Sequence, residues 1–261
     1  MANDTLRQAS GAFAVPFHLR ADRLVVCTAM SSPTPDPRPL IPAPSRFPDP
    51  ADADPEGLVL VGGSLAPDWL LDAYRHGIFP WPLLPGVSQM QWWSPDPRAI
   101  FEIAEFHASR RLLRTCRSGR FEITSDRDFA GVLRGCATAQ SRRFNTWLTR
   151  EMISAYQRLF DLGHAHSVEV WRNAQLVGGT YGVSIGGLYA GESMFYRERD
   201  ASKVALVHLV RHLSERAYQL FDIQQLTAHS RSLGAIEIPR REYLGRLAAA
   251  LDHSTEKWLP F

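Results

Sequence analysis

Cysteine is scarce in this 261-residue chain: Cys27, Cys116 and Cys136 are odd in number, widely spaced and contain no C-x-x-C pair. That excludes a disulfide framework and a zinc ribbon, and it fits a reducing cytosol as the expected location. No apolar run approaches ~20 residues, so no membrane-spanning helix is expected. Arg7 is not followed by an apolar core of ~7–15 residues, so no secretory signal is expected either. Excess charge is also missing. At a net +2, nothing in bulk composition marks a nucleic-acid partner, and any such surface must be local. No internal repeat is present. What remains, 45% hydrophobic and 21% charged residues, is the balance of a globular chain long enough to bury a core in one or two domains.

Prolines crowd the stretch from Pro33 to Pro44, a composition unsuited to regular structure, so residues 1–45 read as a flexible extension. Within it, Leu24-Val25-Val26 is at most a weak strand. Residues 46–97 read as a small, loop-rich N-terminal domain. It holds a short apolar strand or turn at Gly57–Gly63 and a helix capped around Ser64–Pro67 and stopped at Gly77. Two proline- and tryptophan-rich segments follow, at Ile78–Pro82 and Gln91–Pro97. Residues 98–261 alternate strand and helix patterns. Strands His166–Trp171, Leu176–Ser184 and Leu188–Tyr196 form an antiparallel meander, turning at Arg172-Asn173-Ala174 and Gly186-Gly187. A helix from Ser202 to Gln219 and a strand Leu220–Leu226 follow. The fold class is therefore α+β with a mixed, largely antiparallel sheet, and its element order resembles the acyltransferase fold of N-acetyltransferases.

The meander strand Leu188–Tyr196 is an apolar, aromatic run with one acid, Glu192, in its middle. Burying an unpaired carboxylate costs several kcal/mol or forces it to neutralise. Glu192 therefore demands a partner, either a basic side chain of the chain or an amine on a ligand. Alternation places Glu192 and Met194 on one face unless a bulge at Gly191 re-aims one of them. In Leu220–Leu226 the same alternation puts Asp222 and Gln224 together, opposite Phe221 and Ile223. Arg110, Arg111, Arg114 and Arg117 share a helical face, and no acid lies between Arg110 and Arg120; phosphates are the favoured partner. His164-Ala165-His166 lacks a third ligand, so no metal is expected. Ser193 lacks the glycine that completes a nucleophile elbow. The link Arg197–Ala201 has no glycine, so the backbone cradle that a CoA pyrophosphate requires is missing.

Several ordered blocks carry a more specific signal. They include Leu71-Asp72-Ala73-Tyr74-Arg75-His76-Gly77-Ile78-Phe79-Pro80-Trp81, Trp92-Trp93-Ser94-Pro95-Asp96-Pro97-Arg98, Thr146-Trp147-Leu148-Thr149-Arg150, Gly191-Glu192-Ser193-Met194-Phe195 and Ile238-Pro239-Arg240-Arg241. From about Phe47 to Arg246 the chain resembles the bacterial leucyl/phenylalanyl-tRNA–protein transferases. The resemblance implies an aminoacyltransferase that moves Leu or Phe, and Met weakly, from tRNA onto proteins beginning with Arg or Lys, marking them for degradation. It further implies that Glu192 holds the donor's α-amine and that Asp222 and Gln224 sit at the reacting ester. Trp81 and Trp147, with Tyr74 and Tyr156 nearby, would frame the terminal adenosine. Met194, Leu206, Leu209, Leu213 and Phe221 would line the side-chain pocket, and the arginine face would meet the acceptor stem. This pocket departs from the family pattern: Thr180 stands for Met, Tyr189 for Phe, and Leu209 and Leu213 for larger aromatics.

The implied reaction is aminolysis of an activated ester, which calls for no cofactor, ATP or metal. Gln224 is too weak a base for an ammonium. Its expected role is to accept a hydrogen bond from the attacking amine, with its amide oriented by Asp222, and proton removal falls to Asp222, water or the substrate ribose. A monomer without membrane attachment is expected. Two rival classes remain from sequence, a CoA-dependent N-acetyltransferase and a non-catalytic tRNA-binding protein.

Overall fold

The computed structural model describes residues 45–83, 86–138, 147–255 and 258–261. The extension up to residue 44, with Cys27 and the Leu24–Val26 segment, lies outside the described residues, as does Thr146.

Two sheets organise the chain. The smaller has three strands in the order β1-β3-β2: β1 (Leu58–Val61), β2 (Phe79–Pro80) and β3 (Gln91–Trp93). The larger has seven, in the order β10-β4-β9-β8-β7-β6-β5. These are β4 (Arg98–Phe101), β5 (Glu122–Ser125), β6 (Ala165–Arg172), β7 (Gln175–Ile185), β8 (Leu188–Tyr196), β9 (Leu220–Gln224) and β10 (Ile236–Ile238). Every pairing in it is antiparallel except β8 with β9. That parallel pair is bridged by a crossover helix, α5 (Ala201–Glu215), as a parallel connection requires.

Local chemistry explains most boundaries. The first helix, α1 (Pro67–Arg75), starts with proline at its first turn and gives way to Gly77 at φ +72°, a left-handed position that suits glycine. The helix α2 (Arg110–Arg117) is capped by Ser109 and α4 (Arg150–Asp161) by Thr149. Between them, α3 (Phe129–Thr138) packs on the sheet. The Asn173-Ala174 turn takes positive φ at both residues, matching the twist of a tight hairpin. The helix α5 stops four residues short of the expected Gln219, because Ala217 at φ +58° breaks it. Two further helices close the chain, α6 (Ala228–Arg231) and α7 (Arg240–Asp252).

The hydrophobic core lies on both faces of the large sheet. On one face, α3 and α4 pack with the small sheet through Trp92, Tyr74, Tyr156, Tyr181 and Phe195. On the other, α5 packs its Leu206, Leu209 and Leu213 against Tyr189, Phe221 and Trp258. The loop-rich reading of the first segment missed β2 and β3. Their strands are short, and each Trp of β3 spends its indole N–H on a carbonyl: Trp92 on Gly62 O at 2.8 Å and Trp93 on Trp81 O at 2.7 Å.

Candidate active site

The site is created where β8 and β9 part. Their ladder runs Leu188–Leu220, Tyr189–Phe221, Ala190–Asp222 and then ends. Just beyond, β8 carries one extra residue. Tyr181 pairs with Ser193 and Gly182 with Gly191, so Glu192 is the bulged residue between them. Gly182 permits this: a Cβ there would sit 2.3 Å from Ala190 O. The bulge reverses the alternation after it. Ala190 and Phe195 therefore share the α3/α4 face, while Met194 packs toward α5. The expected common face for Glu192 and Met194 is corrected accordingly; Glu192 turns to Tyr156, away from Met194.

Glu192 is buried and held by neutral donors. Tyr156 Oη donates to Oε2 at 2.6 Å, and Gln224 Nε2 donates to Oε1 at 3.0 Å. Tyr74 Oη stands 2.8 Å behind Tyr156 Oη. No cation among the described residues forms an ion pair with this carboxylate. Burial accordingly raises its pKa to about 7, against the opposing pull of the tyrosine hydroxyl. The same burial raises both tyrosines well above their ordinary value, so they stay protonated donors.

Asp222 has the opposite setting. Arg98 grips it bidentately, Nε to Oδ1 at 2.9 Å and Nη2 to Oδ2 at 2.7 Å, and both side chains are 1% exposed. Oδ2 also accepts from Tyr243 Oη at 2.9 Å, and Oδ1 from the Gln224 backbone N–H at 2.9 Å. Arg98 uses its remaining reach on Gly77 O at 2.9 Å and lies over the rings of Phe79 and Tyr243. Burial alone would lower the arginine's pKa; the Asp222 charge overrides it, and the net direction is upward. Two expectations change here. Asp222 does not orient the Gln224 amide, which turns to Glu192 instead, and with its oxygens occupied by four donors Asp222 is a poor proton acceptor. It fixes the Gln224 backbone at φ +57° and thereby aims the Gln224 side chain.

One cavity, open to solvent at its mouth, collects these groups. Its apolar wall is Phe79, Pro80, Trp81 and Trp147; its polar groups are Glu192, Gln224 and Gln225. Of the residues expected around an adenosine, Trp81 and Trp147 reach this wall. Tyr74 and Tyr156 do not: both are fully buried behind Glu192, with their hydroxyls committed to the chain that holds its carboxylate.

The expected side-chain pocket residues lie deeper. Leu206, Leu209, Leu213, Tyr189 and Phe221 are buried together on the α5 face, with Met194 packed against them. Thr180 is also buried and donates to Ser193 O at 3.0 Å. They flank the parting strands from below, and none lines the cavity. The face of α2 that carries Arg110, Arg111 and Arg114 is exposed, and Arg117 at its end is too. Arg111 is tied to Asp200 at 3.1 Å, so an acid from the β8–α5 link partly neutralises a face that has none in its own stretch. Arg110, Arg114 and Arg117 form no ion pair among the described residues. Elsewhere, His166 pairs with Asp126 at 2.8 Å and stacks on Trp258.

Sequence reasoning gave no role to Arg98, Tyr243, Phe79 or Gln225. The signal for Arg98 was available: the rule that a strand acid demands a partner applies to Asp222 as much as to Glu192. Arg98 is the cation it finds.

Glu192, with no ion-pair partner among the described residues, thus faces a cavity walled by two indoles. The sequence matches the family described as leucyl/phenylalanyl-tRNA protein transferase over residues 100–248, and the N-terminal domain of that family over residues 63–96. A leucyl/phenylalanyl-tRNA–protein transferase from Solidesulfovibrio magneticus is 50% identical over 82% of this chain and 87% of its own length. One from Thiobacillus denitrificans is 48% identical over 82% and 95%. Among solved structures, a ribosomal-protein-alanine N-acetyltransferase from Brucella melitensis aligns over 38% of this chain and 74% of its own. Its identity is 21% and its TM-score 0.28, too low to carry weight. The chain belongs to the leucyl/phenylalanyl-tRNA–protein transferase family, whose members are aminoacyltransferases.

Proposed function

We propose that this protein transfers leucine or phenylalanine, and methionine weakly, from aminoacyl-tRNA to the N-terminal Arg or Lys of acceptor proteins, marking them for degradation. It would do so in the cytosol, as a monomer. The observation that carries the reading is Glu192: a buried carboxylate of raised pKa, held by neutral donors, beside Trp81 and Trp147 in one cavity. The donor's α-ammonium supplies the missing cation. Base stacking on the indoles holds the terminal adenosine, at ~1–3 kcal/mol per base. The donor side chain passes between the parted ends of β8 and β9 toward Met194, Leu206, Leu209 and Leu213, with Thr180, Tyr189 and Phe221 around them. Arg110, Arg111, Arg114 and Arg117 meet acceptor-stem phosphates.

In the chemical step the acceptor's amine nitrogen bonds to the ester carbonyl carbon, and the bond from that carbon to the ribose oxygen breaks. The oxygen leaves as the tRNA hydroxyl. With a reference pKa of ~7.7–8.0, part of the acceptor amine is already neutral at pH 7. Gln224 lines the same cavity and spends its amide N–H on Glu192, which leaves its amide oxygen to accept a hydrogen bond from that amine. Because Asp222 is occupied, the surplus proton goes to water or the departing ribose oxygen. The test mixes labelled leucyl-tRNA with a peptide beginning in Arg. Labelled peptide is expected; its absence, with acetyl-CoA turnover instead, would overturn the reading.

A further inference from the structure

Gln225 is the one polar side chain of the cavity that the reaction leaves without work. Its amide oxygen is enclosed and has no hydrogen-bond partner among the described residues, an unfavourable state for a buried acceptor. Gln224, next to it, is different: its amide N–H is spent on Glu192. The Gln225 backbone is fixed by a tight turn, its N–H donating to Ile223 O at 2.6 Å. The side chain is thus presented beside Phe79, Trp81 and Trp147 from a constrained point.

A primary amide offers one donor and one acceptor in a plane. Adenine presents the matching pair on one edge, N6–H₂ and N7, whereas a 6-oxopurine presents two acceptors there. An amide set next to indole faces suits a stacked base read along its edge. We propose that Gln225 is a specificity-determining residue that pairs with the adenine edge of the donor's terminal nucleoside. The proposal rests on the reading that this nucleoside occupies the cavity. Glu192 holds the amine end, the indoles hold the ring faces, and Gln225 identifies the base.

The test uses the full chain and minimal donors, phenylalanyl esters of adenosine, inosine and 7-deazaadenosine, with an Arg-starting peptide. Wild type should favour the adenosine donor over each analogue by roughly 5- to 150-fold in kcat/KM, the range of a good bidentate pair. Gln225→Met and Gln225→Ala should bring both ratios near one while leaving the preference for phenylalanyl over a bare amine-free ester unchanged. Equal use of the three donors by wild type would overturn the proposal without requiring any variant. So would discrimination that survives both substitutions. Failure of the wild type to transfer from any donor, including aminoacyl-tRNA, would instead sink the proposed function itself.

Discussion

Arg98 and Asp222 stand 124 positions apart in the chain and form a buried two-pronged pair, at 2.9 and 2.7 Å, across β4 and β9. The pair also reaches Gly77 O and Tyr243 Oη, so one guanidinium joins the loop after α1, two strands and α7. Removing one partner leaves the other charge uncompensated, typically at about 3–5 kcal/mol. Arg98→Met should therefore cost roughly that much in denaturant melts. The double variant Arg98→Met/Asp222→Leu should recover much of the stability, since replacing a whole buried pair is often near neutral. Transfer should not return with it, because the Gln224 backbone has lost its anchor. Recovery of activity along with stability would show that the pair has no part in aiming Gln224.

The arginine face of α2 divides in two. Arg111 is already committed to Asp200, while Arg110, Arg114 and Arg117 have no ion-pair partner among the described residues. Replacing Arg110, Arg114 and Arg117 together by Ala should weaken aminoacyl-tRNA binding strongly. It should also flatten its salt dependence by about one unit of log–log slope for each phosphate no longer neutralised. Turnover of a minimal aminoacyl-adenosine should be spared. Arg111→Ala should have the smaller effect. Binding titrations over a series of salt concentrations decide it, and equal slopes for wild type and the triple variant would remove α2 from the tRNA interface.

These two contrasts mark how far the sequence could be read. Periodicity located β6, β7 and β8 to within a residue or two, because their apolar patterns are long. Alternation set Asp222 apart from Phe221 and Ile223, but it does not extend to Gln224, whose backbone turns at φ +57°. Glu192 was legible as a buried acid needing a partner, but its direction was not, since a single bulged residue reverses every side chain after it. The ion pairs were illegible for another reason: Arg98 with Asp222 and Arg111 with Asp200 join residues 124 and 89 positions apart, and local pattern holds no record of such pairings. Tyr74 and Tyr156 were recognised as close to the site. That they stand behind the acid depends on how α1 and α4 pack.

Tyr156 is one of the donors that favour the charged form of Glu192. Tyr156→Phe should raise the Glu192 pKa above about 7, because the charged form loses a hydrogen bond. If the proposed donor site needs this carboxylate, the acidic limb of donor binding should move to higher pH. Affinity for an aminoacyl-adenosine measured against pH checks this. An unmoved limb would mean that Glu192 does not control donor affinity.

Glu192→Gln separates stability from function. In the folded protein the Glu192 pKa is raised from 4.5 to about 7, so the folded state binds its proton more tightly than the unfolded chain does. The contribution of the site to stability is therefore fully present below about pH 4.5 and is lost as pH rises through about 7. The amide introduced by Glu192→Gln carries no such titration. The variant and wild type should melt alike in acid and diverge with rising pH, until the variant is the more stable by at most about 3 kcal/mol above about pH 7. Over the same range the variant should bind an aminoacyl-adenosine poorly, because the donor's ammonium no longer meets a carboxylate. An N-acetylated donor has no ammonium, so wild type and Glu192→Gln should bind it equally weakly. The gain in stability and the loss of binding should appear over one pH interval, since a single ionisation drives both. A stability difference that does not change with pH would place the charge of Glu192 on a partner within the protein. An N-acetylated donor that wild type binds as well as the free amine would remove Glu192 from the amine site.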